Sequence, residues 1–162
     1  MPKILIFEDD RMLRSMYETK FTMEGFTVVG NDHPTEDPVG LIIKENPAII
    51  ISGVVMPVMS GFDAAKLYKT DQRTKGIPLI FLTNLGQSKD VEMGKELGAA
   101  AYLIKANHMP IEIVNEVRRV LRLPIPPEKP IPPPGDAWHG PSVGDLPPDK
   151  PKSWWQKLFG PK

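Results

Sequence analysis

Three consecutive carboxylates, Glu8-Asp9-Asp10, follow directly on the apolar run "KILIF" at residues 3–7. Like charges held so close repel one another unless a cation or a basic group compensates. Hard oxygen ligands on a loop suit Mg²⁺, which takes one or two protein carboxylates together with water and phosphate oxygens. A plainer use is also open, with Asp10 capping a helix and its neighbours solvated. A hydroxyl and an amide, Thr83-Asn84, follow a second apolar run, "PLIFL". An ammonium, Lys105, follows a third, "AAYLI", with Tyr102 three residues before it. Each alone is ordinary for a solvated strand end. Acid cluster, hydroxyl and lysine at three ends of one sheet are much harder to dismiss.

Those residues need a sheet to hold them together. "KILIF" (3–7), "FTVVG" (26–30), "AIIIS" (48–52), "PLIFL" (78–82) and "AAYLI" (100–104) read as five strands. Several are continuous in Val, Ile and Leu, as expected of strands buried on both faces of a parallel sheet. Helical patterns separate them. Residues 11–24 place Leu13, Met16, Tyr17 and Phe21 on one face and stop at Gly25. Asp37 with Pro38, Ser60 and Ser88 are expected to cap the next three helices. The last helix spans about 110–122, with Ile113, Val114, Val117, Val120 and Leu121 on one side. Five βα units with right-handed crossovers imply an α/β fold, a doubly wound five-stranded parallel sheet with helices on both faces. Ligands bind such sheets at the carboxyl ends of the strands, near the point where strand order reverses.

Over residues 2–122 the chain resembles the receiver domain of two-component response regulators, a flavodoxin-like (βα)5 fold. "KILIFEDD" is similar to that family's first strand and acidic pair, here Glu8 and Asp9. "PAIIISGVVMPVMSGFDA" resembles its third strand, the following Met56-Pro57 loop, and Gly61 opening a helix. "IPLIFLTN" carries its hydroxyl at Thr83 and "GAAAYLIKA" its lysine at Lys105. The resemblance implies Mg²⁺ on Glu8, Asp9 and the Val55 backbone carbonyl, together with a phosphoacceptor aspartate. It implies phosphoryl contacts from Thr83 and Lys105, and a switch in which Tyr102 moves. The implied partner is a sensor histidine kinase or another signalling protein.

Two positions depart from that pattern. The family's phosphorylated aspartate lies four residues before Pro57, where this chain has Gly53. Glycine has no side chain, so no acyl phosphate can form there. Ser52 is the nearest hydroxyl, but alternation along a strand points it elsewhere. Mg²⁺ affinity should fall with one ligand lost. The family's proline after the lysine is replaced by Ala106, so the Lys105–Ala106 peptide should be trans, since a non-proline cis bond costs roughly 3 kcal/mol. Two readings follow: a pseudo-receiver that signals without phosphorylation at 53, or an ordinary phospho-switched regulator silenced by a recent or engineered Asp→Gly change.

A phosphoryl-handling enzyme is the competing class. Haloacid-dehalogenase-type phosphatases need Asp-x-Asp after the first strand, and Glu8-Asp9-Asp10 does not supply it. "FEDDRML" is the electrostatic opposite of a flavodoxin phosphate loop, and neither Gly-x-Gly-x-x-Gly nor a Walker sequence occurs. His33, His108 and His139 are scattered, and the chain has no cysteine for thiolate chemistry or disulfides. No catalytic residues are assigned, and the chain is read as a non-enzyme. Lys plus Arg and Asp plus Glu each number 20, so no net charge draws the chain to nucleic acid or anionic membrane. With no signal peptide and no run approaching the roughly 20 apolar residues of a membrane helix, a soluble cytoplasmic protein is expected.

Length, at 162 residues, suits one domain. Twelve of the 19 prolines fall in the last 40 residues, which divides the chain into a receiver-like domain (1–122), a Pro-rich linker (123–152) and a short aromatic segment (153–162). Such proline density excludes a helix or a central strand and favours polyproline II spacers. In "KSWWQKLFGPK", Trp154, Trp155, Leu158 and Phe159 share one face of two helical turns. Six residues between Ser153 and Gly160 do not make a stable isolated helix, so the segment is expected to fold on a surface, with the aromatics as anchors. Partner or self-docking is the preferred reading, and a membrane interface the lesser one.

Overall fold

The computed structural model describes residues 1–127, which form alternating strands and helices. In chain order these are β1 (Lys3–Phe7), α1 (Arg11–Met23), β2 (Thr27–Asn31), α2 (Pro38–Glu45), β3 (Ile49–Ser52), α3 (Gly61–Tyr68), β4 (Leu79–Thr83), α4 (Ser88–Glu96), β5 (Ala101–Ile104) and α5 (Pro110–Val120). All neighbours pair in parallel in the order β2-β1-β3-β4-β5, so the expected five-stranded doubly wound sheet is present. Strand order reverses between β1 and β3, which brings the ends of those two strands and β4 together.

Burial explains the continuous apolar runs. Ile4, Ile6, Ile49, Ile51, Ile80 and Leu82 face a layer built with Tyr17 and Phe21 of α1 and Ile113, Val114 and Val117 of α5. The alternate positions Leu5, Phe7, Ile50, Leu79 and Phe81 face Ile42 of α2 and Ala64, Ala65 and Tyr68 of α3. Each fully buried side chain of this size contributes about 1.5–3 kcal/mol. A polar residue on either face of β1 or β3 would therefore sit in a core, and none occurs between the half-buried Lys3 that opens β1 and the strand ends at Glu8 and Ser52.

Helix starts follow side-chain chemistry. Asp10 accepts from the Leu13 amide at 3.0 Å, Asp37 from Gly40 at 2.9 Å and Ser60 from Asp63 at 3.1 Å. Ser88 differs from expectation: it is the first residue of α4, and Gln87 precedes the helix without a side-chain cap. Gln87 is the last extended residue, and its carbonyl already accepts from Asp90 and Val91, so the turn begins one residue early. β2 and β4 likewise run one residue further than the apolar patterns suggest. Leu121 and Leu123 still pack on the α1–α5 layer, and the compact unit extends to Ile125.

One ion pair ties α5 to the end of α1. Arg118, 8% exposed, donates to the Glu24 carbonyl and carboxylate, both at 3.1 Å, and its guanidinium lies 5.8 Å from the Phe26 ring centre. Hydrogen bonds to charged groups contribute about 1.5–3 kcal/mol, so Arg118→Met should lose roughly 2 kcal/mol in denaturant unfolding. The Lys20 ammonium, with Arg118 behind it, holds the Glu24 carboxyl below its ordinary value of 4.5. A lowered folded-state value means this stabilisation is complete above 4.5 and fades as pH falls through and below it. The gap between parent and Arg118→Met should therefore narrow in acid; a gap that widens would contradict the pairing.

Candidate functional site

The carboxyl ends of β1, β3, β4 and β5 surround a cavity of about 220 Å³ lined by Asp9, Gly53, Val54, Val55, Thr83, Asn84, Leu85 and Lys105. Five residues singled out from sequence, Asp9, Gly53, Val55, Thr83 and Lys105, thus share one wall. Glu8 does not line it. Its carboxylate is 3% exposed and lies behind Lys105, whose Nζ is 2.5 Å from Glu8 Oε2. The second Glu8 oxygen accepts from the Asp10 amide at 3.1 Å, and Arg14 donates to the Glu8 carbonyl at 2.6 Å. Burial and then the negative charge of Glu8 push the Tyr17 phenol up.

Gly53 sits where β3 leaves the sheet. Its amide donates to the Phe7 carbonyl at 2.9 Å, continuing the ladder to β1 by one residue. Only Gly25 and Gly98 among the described glycines have positive φ, so the backbone at 53 accepts any L-residue. A Cβ there would meet the Phe7 carbonyl oxygen at 3.5 Å and the Met56 Sδ at 3.6 Å, ordinary contact distances. Ser52 points away as alternation requires: it is fully buried and donates to the Gly53 carbonyl at 2.8 Å. Beyond Gly53, Val54 is buried, Val55 is 69% exposed, and Val58 adopts φ of 69°. A β-branched residue in the left-handed region stores about 1–3 kcal/mol of strain. That strain lies in the loop that presents Val55.

On the β4 side, Thr83 is 5% exposed and its hydroxyl oxygen accepts from the Leu85 amide at 3.2 Å. Its proton is left to donate into the cavity. Tyr102 does not reach the cavity. Its hydroxyl donates to the Leu85 carbonyl at 2.7 Å, and its ring leans on Phe81 at 5.9 Å between centres. Burial, then the Asp90 carboxylate, push this phenol up, so it remains a donor at neutral pH.

Two further residues prove structural here. A Cβ on Gly94 of α4 would lie 2.6 Å from the Tyr102 ring, so a side chain is excluded where the ring tucks under the helix. An isolated glycine inside a helical pattern was the available signal. Asn84 Oδ1 accepts from the Ala106 amide at 3.2 Å, tying the end of β4 to the end of β5. Lys105–Asn107 form a short 3-10 turn, and no peptide bond among the described residues is cis, as expected for Ala106.

As arranged, these side chains fall short of what Mg²⁺ needs. Glu8 already has both oxygens engaged, and among the described residues no group of three His, Cys, Asp or Glu is placed to hold a metal. What they offer instead is an ammonium and a hydroxyl facing a residue without a side chain. Trp154, Trp155, Leu158 and Phe159, with most of the linker, lie outside the described residues. Among the described residues no helix is long and apolar enough to cross a membrane.

Comparison with known proteins agrees with this geometry. The family profile described as "Response regulator receiver domain" matches residues 4–118. The transcriptional regulatory protein CpxR of Escherichia coli is 35% identical over 122 residues, covering 75% of this chain and 50% of that protein. The DNA-binding dual master transcriptional regulator RpaA of Synechocystis is 31% identical over 122 residues, with the same coverage. The chain spans about half the length of the curated relatives it matches. Among solved structures, chemotaxis protein CheY4 of Vibrio cholerae has a TM-score of 0.67 at 28% identity, over 74% of this chain and 98% of that one. The signal receiver domain of a histidine kinase from Syntrophus aciditrophicus has a TM-score of 0.67 at 26% identity, over 75% and 91%. With that fold, those strand-end residues and that match over most of residues 1–127, the chain belongs to the response regulator receiver family.

Proposed function

We propose that this chain is a receiver-type signalling module of a two-component system that acts through protein–protein contacts and takes no phosphoryl group at Gly53. One observation carries the reading: Asp9, Thr83 and Lys105 converge on a cavity whose central position has no side chain. Receivers pass signals between histidine kinases and output partners, and this chain is expected to meet the same class of partner without becoming phosphorylated. Glu8, Asp9 and the Val55 carbonyl would be the remnant of the family's metal set, with Thr83 and Lys105 its phosphoryl contacts and Tyr102 its switch residue. Residues 123–152 would act as a spacer, and the Trp154–Phe159 segment as a docking element for a partner. The transcriptional roles printed for CpxR and RpaA belong to proteins of which this chain matches half, and are not carried over.

A second reading has its own support. A backbone that is not left-handed and ordinary contact distances for a Cβ at Gly53 would accept an aspartate, as expected of a working site silenced by one change. Both readings predict the same behaviour of the chain as it stands. Incubated with acetyl phosphate and Mg²⁺, the intact protein should show no phosphorylated species by mass spectrometry. Hydroxylamine-labile labelling of the unmodified chain would overturn the account of Gly53.

A further inference from the structure

Lys105 and Glu8 form the most enclosed ion pair among the described residues, 15% and 3% exposed, with Nζ 2.5 Å from Oε2. It joins the end of β5 to the end of β1 beside the cavity. Asp9, on the same wall, has no cation as close among the described ion pairs. A divalent ion entering here would have to displace the ammonium from Glu8 or share a small space with it. Two positive centres in a partly desolvated pocket repel strongly. Mg²⁺ also demands near-octahedral oxygen coordination and dehydrates reluctantly. A carboxylate at 53 would offer both an extra ligand and a second seat for Lys105; glycine offers neither.

We infer that the Lys105 ammonium is the resident cation of this site, neutralising Glu8 in place of a metal, so that the chain holds its conformation independently of divalent ions. This rests on the proposed reading of Gly53, because an acid there would compete for the same ammonium. The consequence for regulation is direct. Metal supply does not gate this module, and Lys105 is committed to Glu8 before any phosphoryl group arrives.

The test needs no phosphate donor, so its outcome is separate from that of the labelling experiment. In the parent chain, Mn²⁺ at submillimolar concentration should leave the amide resonances of Asp9, Val54 and Val55 unbroadened, and millimolar Mg²⁺ should not move Tm relative to EDTA. Lys105→Met should melt about 5 °C lower in EDTA, since it strands a buried carboxylate, and Mg²⁺ should recover part of that loss. Glu8→Gln combined with Lys105→Met should melt above the single variant and ignore Mg²⁺. Selective Mn²⁺ broadening at Asp9 and Val55 in the parent would overturn the inference, and that measurement requires no variant to fold. So would a Lys105→Met protein as stable and as indifferent to Mg²⁺ as the parent.

Discussion

Gly53→Asp should turn a chain that acetyl phosphate leaves untouched into one that it labels. Space favours the change, because the nearest neighbours of a new Cβ lie at 3.5 and 3.6 Å and the backbone is not left-handed. The carboxylate would emerge into the cavity shared by Asp9, Thr83 and Lys105. One of its oxygens could then attack phosphorus, forming the acyl phosphate as the bond to the departing acetate breaks. The Thr83 hydroxyl proton and the Lys105 ammonium are the donors available to the transferred oxygens. The new acid also adds a negative charge beside Glu8 and Asp9, so Lys105 gains an alternative partner and Gly53→Asp should acquire a Tm that rises with Mg²⁺. Intact-mass spectrometry with and without acetyl phosphate reads the first effect, and melting in Mg²⁺ against EDTA reads the second. If parent and variant both stay unlabelled, position 53 is not the only lesion, and the Lys105–Asn107 turn is the next suspect.

Gly61→Ala should be the most damaging of the small substitutions near the site, at about 2–4 kcal/mol. A Cβ at 61 would fall 1.9 Å from the Gly53 carbonyl oxygen and 2.9 Å from its carbon. These are backbone atoms of a strand end held by the Gly53–Phe7 hydrogen bond, so they cannot swing aside as a side-chain tip would. Relief requires α3 to retreat, which breaks the 2.8 Å bond from the Gly61 amide to the Val54 carbonyl. The right control is Gly76→Ala, where a Cβ meets nothing within 4 Å and φ is not positive. That change should be neutral or slightly stabilising, by up to about 1 kcal/mol. Equal urea midpoints for the two variants would show that the Gly61 contact is not rigid.

Much of the fold was legible because its strands are buried on both faces. Runs such as Ile49-Ile50-Ile51 leave no solvated side, which suits a parallel sheet covered on both faces. The chemical residues were legible for a related reason, since Glu8, Thr83 and Lys105 each mark where an apolar run stops. What sequence could not give was pairing. Lys105 had Glu8 and Asp9 as possible partners, and only the folded strand ends bring its ammonium onto Glu8. Gly94 stood out only as an isolated glycine in a helical pattern, because its importance comes from the Tyr102 ring rather than from its own helix. Ser88 was misplaced by one residue because capping preference is weaker than the backbone turn set at Gln87.

The hydrogen bond from the Ala106 amide to Asn84 sets an order on future sequence change. Proline at 106 has no N–H and would leave Asn84 Oδ1 without this donor, so that substitution is disfavoured unless residue 84 changes first. An acid at 53 needs no such permission. Positions 53 and 106 therefore differ in how freely they can change: the first is open to a single step, and the second is coupled to a partner on the neighbouring strand.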